Sequence, residues 1–209
     1  MPLAFPSHQG LIAPLWRRWP HRFDVPALCI GAAMPDVIDG IAGAFRGQLG
    51  QWYGHTLIGL FLLAAPAGFL LERAVILFGV QLDRRGLWPG VAGWILIAQH
   101  RKHTPAARAW RSLESMFIGG FSHLFFDFIS HGNFLWFYPW YENPHFFPAW
   151  WYMKWFEIPL PGYRNPYPAG PHLLVWIFLS LLGTAMLFWP WWRLHRDQSD
   201  SRDVDSAIR

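Results

Sequence analysis

Long apolar runs separated by short polar clusters make up most of the chain. The clearest run, HLLVWIFLSLLGTAMLFWPWW at residues 172–192, has no Asp, Glu, Lys or Arg and reaches the roughly 20 residues that span a bilayer. Similar runs predict helices at residues 7–19, 25–45, 55–80 and 111–137. We predict an all-α, polytopic membrane helix bundle with about four transmembrane crossings plus short re-entrant or interfacial helices. The first predicted helix is too short to be one of the crossings.

Basic residues lie in clusters at the ends of these runs and predict how the bundle is oriented. The clusters at residues 17–22, 84–85, 101–111 and 193–196 are typical of segments that stay in the cytoplasm. Residues 88–99, between two of the clusters, would form a helix of about 18 Å, which is too short for a bilayer core of about 30 Å. The long helices therefore alternate in direction, and we expect an inner-membrane protein with a cytoplasmic C-terminus.

The composition favours the same class of protein. Of 209 residues, 53% are hydrophobic and 14% are charged, against roughly 25% charged in a typical soluble domain. We expect a single membrane domain over residues 1–192 and a disordered cytoplasmic tail over the polar residues 193–209. The net charge of +4 comes from clusters beside apolar runs, so we expect membrane lipid as a partner and no nucleic acid.

An aromatic-rich segment overlaps and follows the end of the fourth predicted helix. Residues 134–156 hold thirteen Phe, Tyr and Trp residues in twenty-three positions, and Trp and Tyr favour the headgroup region of a bilayer. We interpret the segment as an interfacial belt, with a lid over a functional site as the alternative. The Pro- and Gly-rich residues 159–171 that follow predict a loop rather than a helix.

Three ionisable residues share one face of the fourth predicted helix. His123, Asp127 and His131 follow one another at spacings of four in GGFSHLFFDFISHG, and residues four apart lie on the same side of a helix. Such groups in an apolar membrane helix are costly unless they face the bundle interior and have partners. A metal ion would be a shared partner, and an internal hydrogen-bonded cluster or a proton path is the alternative.

Further ligand-type residues open or interrupt the other segments. His8 begins the first helix, Asp36 and Asp39 follow Pro35 inside the second run, and His55 begins the third. At 1.5 Å per residue, the ligand-type residues lie about 17–26 Å from the cytoplasmic ends of their segments, in one layer from mid-bilayer to the outer leaflet: His8, Asp36, His55, His123 and Asp127. Asp39 could instead orient a His ligand, and a plain helix-start role is the alternative for Asp36 and Asp39.

The order of these residues is similar to that of a known family. Four short motifs follow one another in the chain: Ser7-His8, Pro35-Asp36, His55-Thr56 and Ser122-His123-x-x-x-Asp127. Their order resembles that of the YdjM-like membrane-bound metal-dependent hydrolases and related bacterial membrane proteins. More distantly, it is similar to the metal-ligand order of zinc-dependent phospholipase C and the single-strand-specific zinc nucleases. The resemblance covers roughly residues 6–132.

The resemblance implies a set of metal ligands. One metal would be held by four residues, which are Asp36, His55, His123 and Asp127. Asp127 would also bridge to a second metal that His8 holds. We expect Asp127 and Asp36 to be the catalytic residues.

The resemblance also bears on the identity and number of the metal ions. Zinc suits mixed His and carboxylate ligands, with Mn or Fe as alternatives, and we expect one or two divalent ions. His131 is a further candidate ligand, which with His145 could fill part of a third position. That position is not expected to be complete, because Glu142 precedes His145 and no Glu follows it at helical spacing.

Metal-dependent hydrolysis is the function that these expectations imply. A bound divalent ion lowers the pKa of water to about 7 and so supplies a nucleophile at neutral pH. The family comparison makes a phosphoester the expected target, and a site near an aromatic belt favours a lipid or lipid-linked substrate. The alternative is a non-catalytic membrane protein, such as a metal or proton carrier. A carrier requires ionisable groups on both sides of the layer, yet the inner halves of these helices are nearly free of them.

Overall fold

Helices form most of the fold. The computed structural model describes residues 7–19, 22–48, 50, 52–85, 104–130, 136–139, 147–159, 161 and 164–185. Helices α1 and α2 cover Ser7–Arg18 and Val25–Arg46. Helix α3 begins as Leu57–Gly59, passes through a π-helical turn at Leu60–Ala64 and continues as Ala65–Arg84. Helix α4 covers Pro105–Ser130, and the described part of α5 covers Pro171–Ala185.

The helices lie where the sequence predicts them, with two clear errors of boundary in the fourth helix, which begins at Pro105 and not at residue 111. The sequence also predicts that this helix extends to residue 137, but α4 is described only as far as Ser130 and Trp136 lies in a turn. The carbonyl oxygen of Trp136 accepts a hydrogen bond from the backbone N–H of Leu57 at 3.1 Å. That bond satisfies one of the donors that the start of α3 leaves open. The chain after α4 therefore caps a neighbouring helix.

Helix α2 begins and ends at sequence signals and continues through a proline. Asp24 is its N-cap and accepts a hydrogen bond from a first-turn backbone N–H at 3.3 Å. Gly47 ends the helix with a positive φ of 63°, a conformation that costs glycine little. Pro35 lies buried inside the helix. Asp36 and Asp39 are therefore in the body of α2, and a helix-start role for them is wrong.

Glycines bring α2 and α4 into close contact. A Cβ on Gly31 would collide with the backbone carbonyl of Met116, and a Cβ on Gly119 would collide with that of Leu28. Small residues at such positions let two membrane helices approach and gain van der Waals contact. This is the most extensive contact between helices in the described part of the chain, and it supports the residues of the candidate site.

Among the described residues, two helices are long and apolar enough to cross a membrane, Val25–Arg46 and Leu57–Leu82. The second of these, within α3, exposes large apolar side chains along its length, including Phe61, Leu62, Leu70, Leu77 and Phe78. Soluble monomers rarely expose a continuous apolar surface of this kind. The described fold is thus a mostly helical bundle with two candidate membrane helices.

A short antiparallel hairpin corrects the all-α prediction. Strand β1 at Phe156–Ile158 pairs with β2 at Tyr167–Ala169, and β2 falls in the segment that the sequence predicts as a loop. In β2, the side chains at both ends are buried and that of Pro168 is exposed, as expected of a strand with one face against a core. Periodicity does not reveal such strands, because three residues are too few to establish alternation.

Helix α5 packs against the beginning of α1. A Cβ on Gly10 would meet the backbone of Leu179 and Gly183, so these two helices also approach closely. Trp176 of α5 is buried, and its ring lies 4.5 Å from the ring of His8. The contact holds His8 in the interior of the bundle, where its side chain is fully buried.

The predicted aromatic belt is described only in part. A 3-10 turn at Ala149–Tyr152 and the residues after it expose Trp150, Trp155 and Phe156, and exposed aromatic side chains of this kind suit a bilayer interface. The predicted cytoplasmic segment at residues 88–99 and the predicted tail at residues 193–209 lie outside the described residues.

Candidate metal centre

Four ligand-type side chains from two helices and a turn meet inside the bundle. Asp36 of α2, His55 of a 3-10 turn, and His123 and Asp127 of α4 are all buried. Each offers a ligand atom, and these atoms lie within 4.8 Å of one another. The sequence places the same residues in one layer, and their convergence is confirmed. This cluster could hold a metal ion.

Asp39 fixes the orientation of His55. One carboxylate oxygen of Asp39 accepts the Nδ1–H of His55 at 2.6 Å and the backbone N–H of Trp52 at 2.5 Å. Its other oxygen accepts the N–H of Gly54 at 2.8 Å. Because an ionised carboxylate can only accept, Nδ1 of His55 carries a proton and Nε2 faces the cluster. Asp39 thus orients a His ligand, which is one of the two roles that the sequence leaves open for it.

Gly54 lets the turn before α3 reach Asp39. A Cβ on Gly54 would lie 2.7 Å from the Asp39 carboxylate and 2.8 Å from a backbone carbonyl of α2, so a larger residue would force the two apart. Directly after the turn Tyr53–His55, the side-chain oxygen of Thr56 accepts a first-turn N–H at 2.8 Å and caps α3. In the sequence Gly-His-Thr, the glycine permits close approach and the threonine begins the helix, which fixes His55 between them.

His123 is oriented by a backbone carbonyl of α2. Its Nδ1 lies 2.7 Å from the carbonyl oxygen of Ala32, so Nδ1–H donates and Nε2 faces the cluster. The close contact that Gly31 and Gly119 permit between α2 and α4 brings this carbonyl within reach. Helix packing therefore decides which nitrogen of His123 is available to a metal.

The atoms at the centre of the cluster are all electron-pair donors. The Nε2 atoms of His55 and His123 lie 3.2 Å apart, and a carboxylate oxygen of Asp36 lies 3.2 Å from Nε2 of His55. An oxygen of Asp127 lies 3.3 Å and 3.5 Å from the two Nε2 atoms. Lone pairs and negative charges this close in a buried site repel one another unless a cation lies among them. A proton on one Nε2 or a bound metal ion would meet that need.

His8 lies against the cluster from the beginning of α1. Its ring stacks on that of His123 with centroids 3.5 Å apart, and its Nε2 lies 3.8 Å from the second carboxylate oxygen of Asp127. Burial, reinforced by the nearby His123, lowers the pKa of His8 to about 3, so the ring is neutral and offers a lone pair. Neither ring nitrogen has a hydrogen-bond partner among the described residues.

A family model described as a domain of unknown function (DUF4184) matches residues 1–160 of the chain. The chain belongs to this family. No curated protein and no solved structure matches the chain. The DUF4184 match includes the cluster, Asp39 and His8, but neither β2 nor α5. Membership of the DUF4184 family does not by itself assign an activity.

A second buried polar pair lies elsewhere in this DUF4184 bundle. Glu72 of α3 is buried, and one of its carboxylate oxygens accepts a hydrogen bond from the hydroxyl of Ser112 on α4. The other oxygen has no hydrogen-bond partner among the described residues. Ser112 precedes His123 by three turns of α4, about 16 Å. The pair therefore lies well away from the cluster.

Apolar side chains fill the space between the two polar groups in the part of the chain that the structure describes. We call them the apolar layer, and its buried members come from α2, α3 and α4: Met34, Leu60, Ala65 and Met116. Met116 follows Ser112 by four residues, on the side of α4 that leads to the cluster. Met34 and Met116 meet at Gly68, where a Cβ would lie 2.9 Å and 2.7 Å from their side chains.

Six histidines of the chain lie outside the described residues. His131, a predicted ligand, is one of them, and the others are His21, His100, His103, His145 and His195. From the basic clusters we expect His21, His100, His103 and His195 near the cytoplasmic surface, and that stays a prediction. Whether His131 and His145 fill part of a third metal position also stays untested. The metal-ligand and catalytic roles of the converging residues also stay predictions.

A Tyr–His pair beside the cluster is absent from the sequence predictions. The phenol oxygen of Tyr167 on β2 lies 3.3 Å from Nε2 of His172 at the beginning of α5. The sequence signal is the motif YPAGPH, in which Tyr and His precede an apolar helix. The motif alone cannot show that a hairpin turns this segment back toward the site.

Proposed function

We propose that this protein is a membrane-bound, metal-dependent hydrolase that acts on a phosphoester carried by a lipid or lipid-linked substrate. The cluster carries the proposal, because two imidazole nitrogens and two carboxylates face one another in a buried site. Metal-binding histidines usually donate their second N–H to a carboxylate or a backbone carbonyl. Here Asp39 and the carbonyl of Ala32 provide one partner of each kind.

The spacing of the ligand atoms suits zinc. A tetrahedral site with metal–ligand distances of about 2.0–2.1 Å has edges between ligand atoms of about 3.3–3.4 Å. Four edges of the cluster measure 3.2–3.5 Å and a fifth measures 3.8 Å. Mixed His and carboxylate ligands also accept Mn or Fe. We therefore propose zinc and keep the other two metals for the experimental comparison.

The residues of the cluster would hold the ion and set the charge around it. When bound, a divalent ion would lower the pKa of water to about 7 and so supply a nucleophile at neutral pH. Asp36 and Asp127 carry the negative charges that favour a cation. Asp127 turns its second oxygen toward His8, which is the arrangement that a bridging ligand between two ions requires. We therefore include His8 and Asp127 as holders of a second ion.

We propose that α2, α3, α4 and α5 each cross the inner membrane, with the C-terminus in the cytoplasm. Helices α2 and α3 have the required length and apolarity. The 26 residues of α4 would extend about 39 Å, which exceeds a bilayer core of about 30 Å. The apolar run that begins in α5 continues in the sequence to residue 192.

This placement favours a substrate that arrives through the bilayer. The cluster lies between the second half of α2 and the beginning of α3, which the proposed orientation puts in the outer half of the membrane. The exposed aromatic side chains of Trp150, Trp155 and Phe156 suit the same interface. A lipid or lipid-linked phosphoester can reach a site at this depth, whereas a nucleic acid remains in the aqueous phase.

A metal or proton carrier is the alternative function, and Glu72 favours it by adding an ionisable group on the inner side. A carrier needs ionisable or polar steps through the membrane. The apolar layer lies between Glu72 and the cluster and offers none. We therefore assign the pair of Glu72 and Ser112 to the contact between α3 and α4 and favour the hydrolase.

Metal content and hydrolysis, measured on the same preparation, test the proposal. Protein purified gently in detergent should retain about one or two ions of Zn, Mn or Fe per chain, as measured by inductively coupled plasma mass spectrometry. It should hydrolyse p-nitrophenyl phosphate or a short-chain phospholipid, and a chelator should stop the reaction reversibly. A folded, membrane-inserted protein that takes up no metal even when Zn or Mn is supplied would refute the hydrolase proposal.

A further inference from the structure

A Tyr–His pair lies on the side of the bundle where α5 contacts His8. Strand β2 turns Tyr167 toward the bundle, where the residue is 7% exposed, and the hydroxyl lies 3.3 Å from Nε2 of His172. His172 and Trp176 are four residues apart and share one face of α5. Because the ring of Trp176 lies 4.5 Å from that of His8, this face is directed at the cluster.

The hydroxyl of Tyr167 lies in the negative field of the cluster. Burial, together with the charges of Asp127 and Asp36, raises the pKa of Tyr167 to about 12, so the phenol keeps its proton at neutral pH. In the tautomer with a proton on Nε2, His172 donates to the phenol oxygen and leaves the phenolic O–H for another acceptor. Because its oxygen accepts a hydrogen bond from His172, the hydroxyl of Tyr167 becomes a stronger hydrogen-bond donor.

An anionic substrate needs such a donor at this site. The cluster presents lone pairs and two carboxylates to its centre, and Asp39 adds a third carboxylate behind His55. A phosphoryl group carries several oxygens, and those that do not face a metal ion need hydrogen bonds when they leave water. The O–H of Tyr167 supplies a hydrogen bond without adding negative charge.

We propose that Tyr167, positioned by His172, donates a hydrogen bond to a phosphoryl oxygen of the substrate. This inference rests on the proposed function, and it adds two residues beyond the part of the chain that matches the family. Tyr167 contacts the substrate, whereas His172 acts only through Tyr167. A phospholipid headgroup and a soluble phosphate share the phosphoryl group, so both use the same contact.

Phosphate binding to cobalt-loaded protein tests the contact without turnover. Co²⁺ in the site gives a visible absorption spectrum that changes when an anion enters, so a titration with inorganic phosphate yields a Kd. Tyr167→Phe removes only the hydroxyl and should weaken phosphate binding by about tenfold or more with metal content unchanged. Tyr53→Phe removes the hydroxyl of a tyrosine that is largely exposed and, as the matched control, should bind phosphate like the wild type.

A second probe separates the two sources of the phosphoryl group. Dihexanoyl phosphatidic acid should lose affinity by the same factor in Tyr167→Phe, because the lost contact is to the shared group. A lower Kd than that of inorganic phosphate in the wild type identifies the lipid as the preferred ligand, and equal values identify the phosphoryl group alone.

Conservative rescue tests the positioning role of His172. His172→Ala should weaken phosphate binding, and His172→Gln, whose side-chain amide keeps an N–H donor, should recover most of the loss. Equal phosphate affinity in the wild type and Tyr167→Phe would overturn the inference and leave the metal site in place. A cobalt spectrum that does not respond to millimolar phosphate would overturn it as well. If the protein binds no metal, the proposed function fails and the inference fails with it.

Discussion

Three buried aspartates in the bundle have different partners. Asp36 and Asp127 face the Nε2 atoms of the histidines, whereas Asp39 faces the backbone of the turn and the Nδ1 of His55. The sequence shows that Asp36 and Asp39 are three residues apart on one helix, but both are ligand-type residues. Only the position of the turn at Tyr53–His55 distinguishes them, and that position depends on contacts distant in sequence.

Replacing Asp39 should weaken metal binding although Asp39 does not face the centre of the cluster. Asp39→Asn exchanges an acceptor oxygen for an N–H₂ donor, so His55 loses its orienting partner and metal affinity should fall about 10- to 100-fold. The matched control is Asp24→Asn, because Asn caps a helix as well as Asp does and Asp24 caps α2 at its other end. Competition with a chelator of known affinity measures both variants, and equal affinities would mean that His55 is oriented by other contacts.

Asp127→Asn should abolish turnover more completely than His131→Ala. Asp127 directs one oxygen at the two Nε2 atoms and the other at His8, so its charge acts on both proposed ion positions. His131, four residues further along the chain, is predicted to serve an outer position or to support the ligands. Both variants should still insert, because each replaces a membrane-buried polar group with a neutral or smaller one. Measurements of kcat/KM and of metal per chain decide the order, and an equal or greater loss in His131→Ala would refute it.

At the scale of helices and strands, apolar runs predict where the helices are but not which helices touch. Four of the five predicted helices begin within two residues of the observed ones, because length and hydropathy are local properties. The contact of α2 with α4 depends on Gly31 and Gly119. Glycine in a membrane helix signals close approach but does not identify the partner.

The contact between α2 and α4 should be sensitive to a single methyl group. Gly31→Ala places a Cβ against the backbone of Met116 and should destabilise the fold by about 1–3 kcal/mol. Gly40→Ala is the matched control on the same helix, since no heavy atom lies within 4 Å of its Cβ position. It should be neutral or stabilising by up to about 1 kcal/mol through helix propensity. Thermal unfolding in detergent measures the two free-energy changes, and a stable Gly31→Ala would show that the helices can move apart without cost.

For the whole molecule, the sequence predicts one polar layer inside an apolar bundle, and the structure brings together the residues of that layer that it describes. The prediction succeeds because buried charges in apolar helices need shared partners. The sequence does not predict the hairpin that carries Tyr167, because its strands have only three residues each and cannot show the alternation of apolar and polar positions that identifies a strand. The orientation of the bundle in the membrane also remains a prediction from the basic clusters.

Labelling of single cysteines should establish that orientation. Cys29 is the only cysteine in the chain, so a Cys29→Ala background allows one new thiol at a time. Gln48→Cys and Arg84→Cys place exposed thiols just after α2 and at the end of α3. A membrane-impermeant maleimide should label Gln48→Cys in intact cells and Arg84→Cys only after lysis. The reverse pattern would invert the bundle, and labelling of both in intact cells would show that α3 does not cross.

The apolar layer beneath the cluster has a consequence for the electrical state of the membrane. A potential of 100 mV is worth about 2.3 kcal/mol for each charge that crosses, and a cell loses that energy wherever water and ions find a continuous route. Met34, Leu60, Ala65 and Met116 are buried apolar side chains on the side of the cluster that leads to Glu72, and they offer an ion no polar step on that side. In the proposed hydrolase, a charged metal site could then operate within the bilayer while the membrane on the other side of the apolar layer stays an insulator.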